Sequence, residues 1–186
     1  MSRTLVVRRA LMTDAPGVDN LLSEWFDWKP ISGRLNSVQR AVRKKELLVA
    51  KASSRVVGFI HYVLHEDIID GGPNAFISAF YVSEAERGKG IGTLLLEKAI
   101  SDSLARSAVG VETSTIHVRA KQLYERHHFK QTMGDIGEVF LELDIAEYLQ
   151  VKKKGVDMTK QCLRNSFPAK IRDCPKNTLA SRESYC

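Results

Sequence analysis

The chain has 186 residues, 44% of them hydrophobic and 27% charged, a composition that suits one globular domain with its own core. No apolar run approaches the roughly 20 residues a membrane-spanning helix needs, and the opening MSRTLVVRRALMTD is expected to be a first strand and not a secretory leader, so cytoplasmic residence is the default expectation. The net charge of +6 belongs to one end, because residues 1–150 hold 19 Lys and Arg against 19 Asp and Glu while 151–186 hold nine against three; the neutral part lacks the basic footprint of a nucleic-acid protein, and neither nucleic acid nor membrane is an expected partner.

Thr4 to Leu11 reads as a strand. Thr13 and Asp14 offer caps for a helix, Pro16 suits its first turn, and Val18, Leu21, Leu22 and Trp25 recur at helical spacing. A Trp-Lys-Pro-Ile-Ser-Gly break at 28–33 precedes a second, more charged helix marked by Val38, Ala41 and Val42. Leu47 to Ala52 and Arg55 to Leu64 predict a hairpin turning at Ser53-Ser54. The Gly-Gly-Pro within 66–74 predicts a loop.

Ala75 to Val82 is rich in strand formers. A helix follows from Ile91 to Ser103, with Ile91, Leu94, Leu95, Ala99 and Ile100 on one face. Val109 to Ile116 is the next strand and His117 to His127 the next helix. Two closing strands, near Phe129 to Thr132 and Glu138 to Ile145, flank a turn at 134–137. The order β-α-α-β-β-β-α-β-α-β-β is a mixed α/β arrangement. After Ile145 the hydrophobic pattern fades. The domain is therefore expected over 1–148, and 149–186 is expected to be a basic tail or appendage. Cys162, Cys174 and Cys186 all lie there, at a spacing that fits no zinc pattern, so no metal is expected.

The sharpest chemical signal is the strand Phe80-Tyr81-Val82 followed by Arg87-Gly88-Lys89-Gly90-Ile91-Gly92 opening a helix. A helix start leaves amide hydrogens without partners and adds partial positive charge. Bare glycines let phosphate oxygens reach those amides, and Arg87 and Lys89 add formal charge. The spacing G-x-G-x-G is neither the dinucleotide fingerprint nor the nucleotide P-loop. It is an anion cradle of another kind.

With its surroundings, this loop resembles that of the GNAT superfamily of N-acetyltransferases. Arg87, Gly90 and Gly92 meet that family's Arg/Gln-x-x-Gly-x-Gly/Ala pattern between a strand and a helix. His117-Val118-Arg119-Ala120-Lys121-Gln122-Leu123-Tyr124, followed by Phe129, approximates its Asn-x-x-Ala-x-x-Leu-Tyr and Gly-Phe signature. His117 stands where the family has Asn, and His128 where it has Gly.

The resemblance implies a mixed, mostly antiparallel sheet of about six to seven strands flanked by helices, with two central parallel strands splayed apart. It implies acetyl-CoA as co-substrate, its pantetheine arm along Phe80, Tyr81 and Val82. Its pyrophosphate would rest on Arg87, Gly88, Lys89, Gly90, Ile91, Gly92 and Thr93, with His117 and Ala120 nearby. Tyr124 is the implied acid for the departing thiolate. Glu112, five residues before His117 as in the ribosomal-protein alanine acetyltransferase branch, is the implied base; His61 and His65 are alternatives on a long strand, and Ser78 stands where many family strands carry a glutamate. Trp25, Phe26, Trp28 and Pro30, with Glu66, Asp67 and Asp70, suit a cationic amine acceptor without selecting one. A homodimer is compatible with the family. The competing reading is an acyl-CoA-binding regulatory module that has lost transfer.

Overall fold

The computed structural model describes residues 4–26, 31–68, 71–134 and 137–153. The expected tail from 154 onward, with its cysteines, lies outside the described residues, as do Trp28, Pro30 and Asp70. Seven strands form one sheet: β1 (Leu5–Arg9), β2 (Leu47–Ala52), β3 (Arg55–Asp67), β4 (Gly72–Val82), β5 (Gly110–Thr115), β6 (Lys130–Met133) and β7 (Val139–Asp144). Their order is β1-β2-β3-β4-β5-β7-β6. Among the described residues, β4 and β5 pair parallel and every other neighbouring pair is antiparallel.

Alternation along the central strands divides the core in two. On β2, Leu48, Ala50 and Ala52 face one cluster while Leu47 and Val49 face the other, and all five are buried. Strands buried on both faces require cover on both. Helices α1 (Ala15–Phe26) and α2 (Arg34–Arg43) supply one side through Val18, Leu21 and Val38. Helices α3 (Ile91–Leu104), α4 (Val118–Arg126) and α5 (Ile145–Lys153) supply the other, with Leu95, Leu96, Ala99, Ile100 and Tyr124 at its centre. No helix among the described residues is long and apolar enough to cross a membrane.

Two polar devices fix the edges of this packing. Asp14, in the turn before α1, accepts hydrogen bonds from the Leu11 amide at 2.8 Å, Arg8 at 2.7 Å and Lys51 at 2.9 Å. Burial pushes its carboxyl up, but those donors outweigh burial and bring it down to about 2. Asp102 on α3 receives Arg9 at 2.7 Å and the Tyr62 hydroxyl, joining α3 to β1 and β3. A buried carboxylate persists only when so paired.

Three boundaries differ from expectation. β3 continues to Asp67 and β4 starts at Gly72, so the Gly-Gly-Pro segment enters a strand and is not a loop from 66 to 74. Ladder pairing through Glu66↔Pro73 and Asp67↔Gly72 carries the hairpin to its tip, where Gly71 takes φ 73°. Tertiary pairing overrode a local breaker. At the other end, Ile145 opens α5, with the Glu147 amide capped by Asp144 at 3.0 Å. Tyr148 and Leu149, both partly buried, pack against the core.

Candidate active site

The pairing of β4 with β5 ends at Ile77↔Thr113, and beyond it the edge of β4 over Ser78–Val82 is open toward β5. β4 is irregular at this point. His61 pairs with Ala79 and Tyr62 with Ile77, so Ser78 is the extra residue of a bulge. A bulge bends its strand and raises its twist. Here the bulge coincides with the point at which the two parallel strands stop pairing.

The open edge leads into the glycine loop. Gly88 and Gly90 adopt φ 79° and 78°, the left-handed region that L side chains avoid. α3 starts at Ile91, and Leu94 donates to the Gly90 carbonyl at 3.1 Å. Inside the helix, the amides of Ile91, Gly92 and Thr93 come too early to find such a carbonyl. Gly92 faces Leu123 and Phe80, where an added Cβ would only touch them at 3.4 and 3.5 Å.

The cations of the loop are engaged with neighbours. Arg87 donates to Glu84 at 2.9 Å and to the Val82 carbonyl at 3.0 Å, with its guanidinium 5.2 Å from the Tyr81 ring centre. Lys89 donates to Glu86 at 2.8 Å and the Ala85 carbonyl at 3.0 Å. Sequence reasoning missed Glu24 on α1. Its carboxylate accepts from the Ser83 hydroxyl at 3.0 Å, the Tyr81 hydroxyl at 3.1 Å and the Glu84 amide at 3.1 Å, tying α1 to the start of the loop. Burial raises the Glu24 carboxyl, but these donors with the charge of Arg87 outweigh it, for a net fall. No spacing rule links residues 24 and 83.

Across the gap, α4 brings up Tyr124, which is 3% exposed and packs against Phe80 and Phe129 with ring centres 6.3 and 5.3 Å away. Burial pushes the phenol up, a hydrogen bond with Thr113 opposes that, and burial wins. Tyr124 is thus an uncharged phenol at physiological pH. His117, just before α4, is exposed, and its amide bonds the Thr115 hydroxyl at 3.1 Å; Ala120 packs against the core.

Glu112 lies on the other face of β5 from Thr113, because successive strand residues alternate. Asn74 Nδ2 donates to its carboxylate at 2.8 Å and reaches Asp67 at 3.5 Å. The structure therefore does not bring Glu112 and Tyr124 together; it sets them on opposite faces of the sheet. His65, Asp67 and Glu112 each place one ligand atom within 4.8 Å of the others, a group that can hold a cation. His61 is closer to the splay. Its Nδ1 lies 2.5 Å from Ser78 Oγ and its Nε2 4.0 Å from Glu46. Trp25 stacks on Tyr81 at 5.4 Å and on Phe26 at 4.6 Å, packed against the core, whereas Glu66 is exposed.

Comparison with known proteins agrees with this geometry. The family model described as the acetyltransferase (GNAT) family matches residues 14–129. Among solved structures, an N-acetyltransferase from Staphylococcus aureus Mu50 has a TM-score of 0.63 at 19% identity, covering 76% of this chain and 98% of that one. The NatC complex bound to Gag peptide and CoA gives 0.64 at 17% identity, covering 76% and 98%. A GCN5-related N-acetyltransferase from Kribbella flavida gives 0.62 at 16% identity over 69% of this chain, which spans 33% of that longer protein. No curated protein matches the sequence.

Proposed function

This chain belongs to the GNAT family of acetyltransferases, and on that premise we propose that it moves an acetyl group from acetyl-CoA to a primary amine by direct transfer in a ternary complex. The observation that carries this reading is the glycine cradle at the start of α3, reached along the open edge of β4. The backbone of Gly88 to Thr93 receives the pyrophosphate, with Arg87 and Lys89 turning from Glu84 and Glu86 toward it. The pantetheine arm lies along Phe80, Tyr81 and Val82, with His117 and Ala120 on the far side of the gap. Residues 1–148 carry this chemistry, and the basic stretch after them stands outside it.

Protons move at both ends of the reaction. An alkylammonium near pKa ~10 must lose a proton before its nitrogen attacks the thioester carbon. As the C–N bond forms and the C–S bond breaks, the thiolate takes a proton from Tyr124, buried and uncharged beside the gap, and the second proton shed by the acylated nitrogen restores the phenol. Glu112 and His61, both on the face opposite Tyr124, are the groups able to receive the amine's proton. Holding both reactants in register supplies much of the rate, up to about 7–11 kcal/mol in favourable cases.

A thiol-release assay with acetyl-CoA across a panel of amines tests the reading. Release by the wild-type chain supports transfer. Tight binding of coenzyme A without release by any amine would turn the conclusion toward a binding module.

A further inference from the structure

Ser78, His61 and Glu46 form a connected line at the splay, and the reading as an acetyltransferase gives that line a task. Ser78 is exposed, on the bulge where β4 leaves β5, and it is the first residue past the last parallel pair. Behind it, His61 Nδ1 is 2.5 Å from its hydroxyl. Behind the imidazole, the Glu46 carboxylate is 4.0 Å from Nε2, with side-chain exposures of 28% for His61 and 14% for Glu46. The histidine therefore stands between a solvent-facing hydroxyl at the gap and a largely covered carboxylate.

A cavity of about 170 Å³ opens beside this line, between α1, α2 and strands β2 to β4. Val18, Leu22, Val38 and Phe59 form its walls, and His61 and Ala79 border it at the bulge. An apolar cavity of roughly 150 Å³ is large enough for a benzene ring. The charged residue of its lining, Arg34, is paired with Asp19 at 2.6 Å.

We propose that His61 is the base for the acceptor amine, receiving its proton through the Ser78 hydroxyl, and that the acceptor is a primary amine whose neighbouring apolar group fills this cavity. The amine's proton passes to Ser78 Oγ while the Ser78 proton passes to His61 Nδ1. The nitrogen lone pair so freed attacks the thioester carbon, and the imidazolium formed is balanced by Glu46. Burial and the charge of Lys44 lower the His61 pKa, with Glu46 opposing, so the ring starts neutral and able to accept. Glu112, held by Asn74 farther along the sheet, serves to attract the cation and not to take its proton.

The test uses the full chain, acetyl-CoA, and two probe amines: 2-phenylethylamine for the apolar class and spermidine for the purely cationic one. The expected result is thiol release with 2-phenylethylamine, a kcat lower by about 100-fold in His61→Asn and in Ser78→Ala, and an unchanged calorimetric Kd for coenzyme A in both. Wild-type kcat falls on an acid limb below pH 6.5, the ordinary His value, and that limb is absent from His61→Asn. An Asn variant that keeps either the limb or full kcat overturns the proposal. So does release with spermidine alone, or release with neither amine while coenzyme A still binds. An acetylated Ser78 after incubation with acetyl-CoA alone overturns the relay, since the hydroxyl is then a nucleophile. Loss of coenzyme binding by the wild-type chain is a separate failure, and it sinks the acetyltransfer reading itself.

Discussion

Glu24 on α1 accepts a 3.0 Å hydrogen bond from Ser83, the residue that follows β4 and begins the approach to the glycine loop. With the Tyr81 and Glu84 donors, it couples a helix on one face of the sheet to the cradle at the strand end. Replacing Glu24 by Ala leaves the buried Ser83 hydroxyl without this acceptor. The expected loss is about 2 kcal/mol of stability, seen as a Tm lower by roughly 5 °C. Coenzyme A affinity should weaken about tenfold as the loop loses its anchor. An unchanged Tm and an unchanged calorimetric Kd would show that the contact holds nothing.

Gly90→Val separates backbone shape from bulk. Nothing lies within 4 Å of an added Cβ there, so the effect comes from φ 78° alone. Holding a β-branched residue in that region costs roughly 1–2 kcal/mol. The helix start should shift to avoid that cost, and coenzyme A binding should fall at least about tenfold. Titration calorimetry reads it, and full affinity in the variant removes the cradle from the account.

Tyr124→Phe keeps the ring contacts with Phe80 and Phe129 and removes only the hydroxyl. Thr113 retains its 3.3 Å bond to the Ile77 carbonyl, so the fold should lose no more than about 1 kcal/mol. The kcat of thiol release should drop by about 100-fold with coenzyme affinity unchanged. A variant as fast as wild type rules the phenol out as the acid.

Asp14 sets an acid limit on stability. Its folded pKa of about 2 lies below the unfolded value near 3.8, so its contribution is fully present above that unfolded value. As pH falls from about 4 toward 2, protonation removes it, about 2 to 3 kcal/mol in all. Urea denaturation across that range should show the decline in wild type and a flatter profile in Asp14→Asn. Equal slopes in the two proteins would falsify the assignment.

The element order and the glycine loop were legible because each is a local property of the chain. Strand alternation, helical spacing and glycines before a helix act over a few residues, and the α3 start at Ile91 follows from them. The Gly-Gly-Pro hairpin end was misread because ladder pairing between 66–67 and 72–73 outweighed the breaker. The α5 helix has little local signal because Ile145 closes a strand pattern, and only the packing of Tyr148 and Leu149 against the core marks it.

The sequence by itself determined the residue types of the proposed cradle and of Tyr124, since an anion site at a helix start needs bare amides near positive charge. Tertiary structure alone decided which groups meet: Glu24 with Ser83, His61 with Ser78, and Glu112 with Asn74 on the face away from Tyr124. These pairs are separated by 59, 17 and 38 positions in the chain. Such contacts depend on sheet register and on one bulge, which sum weak preferences over the whole fold and leave no local mark at the residues they join.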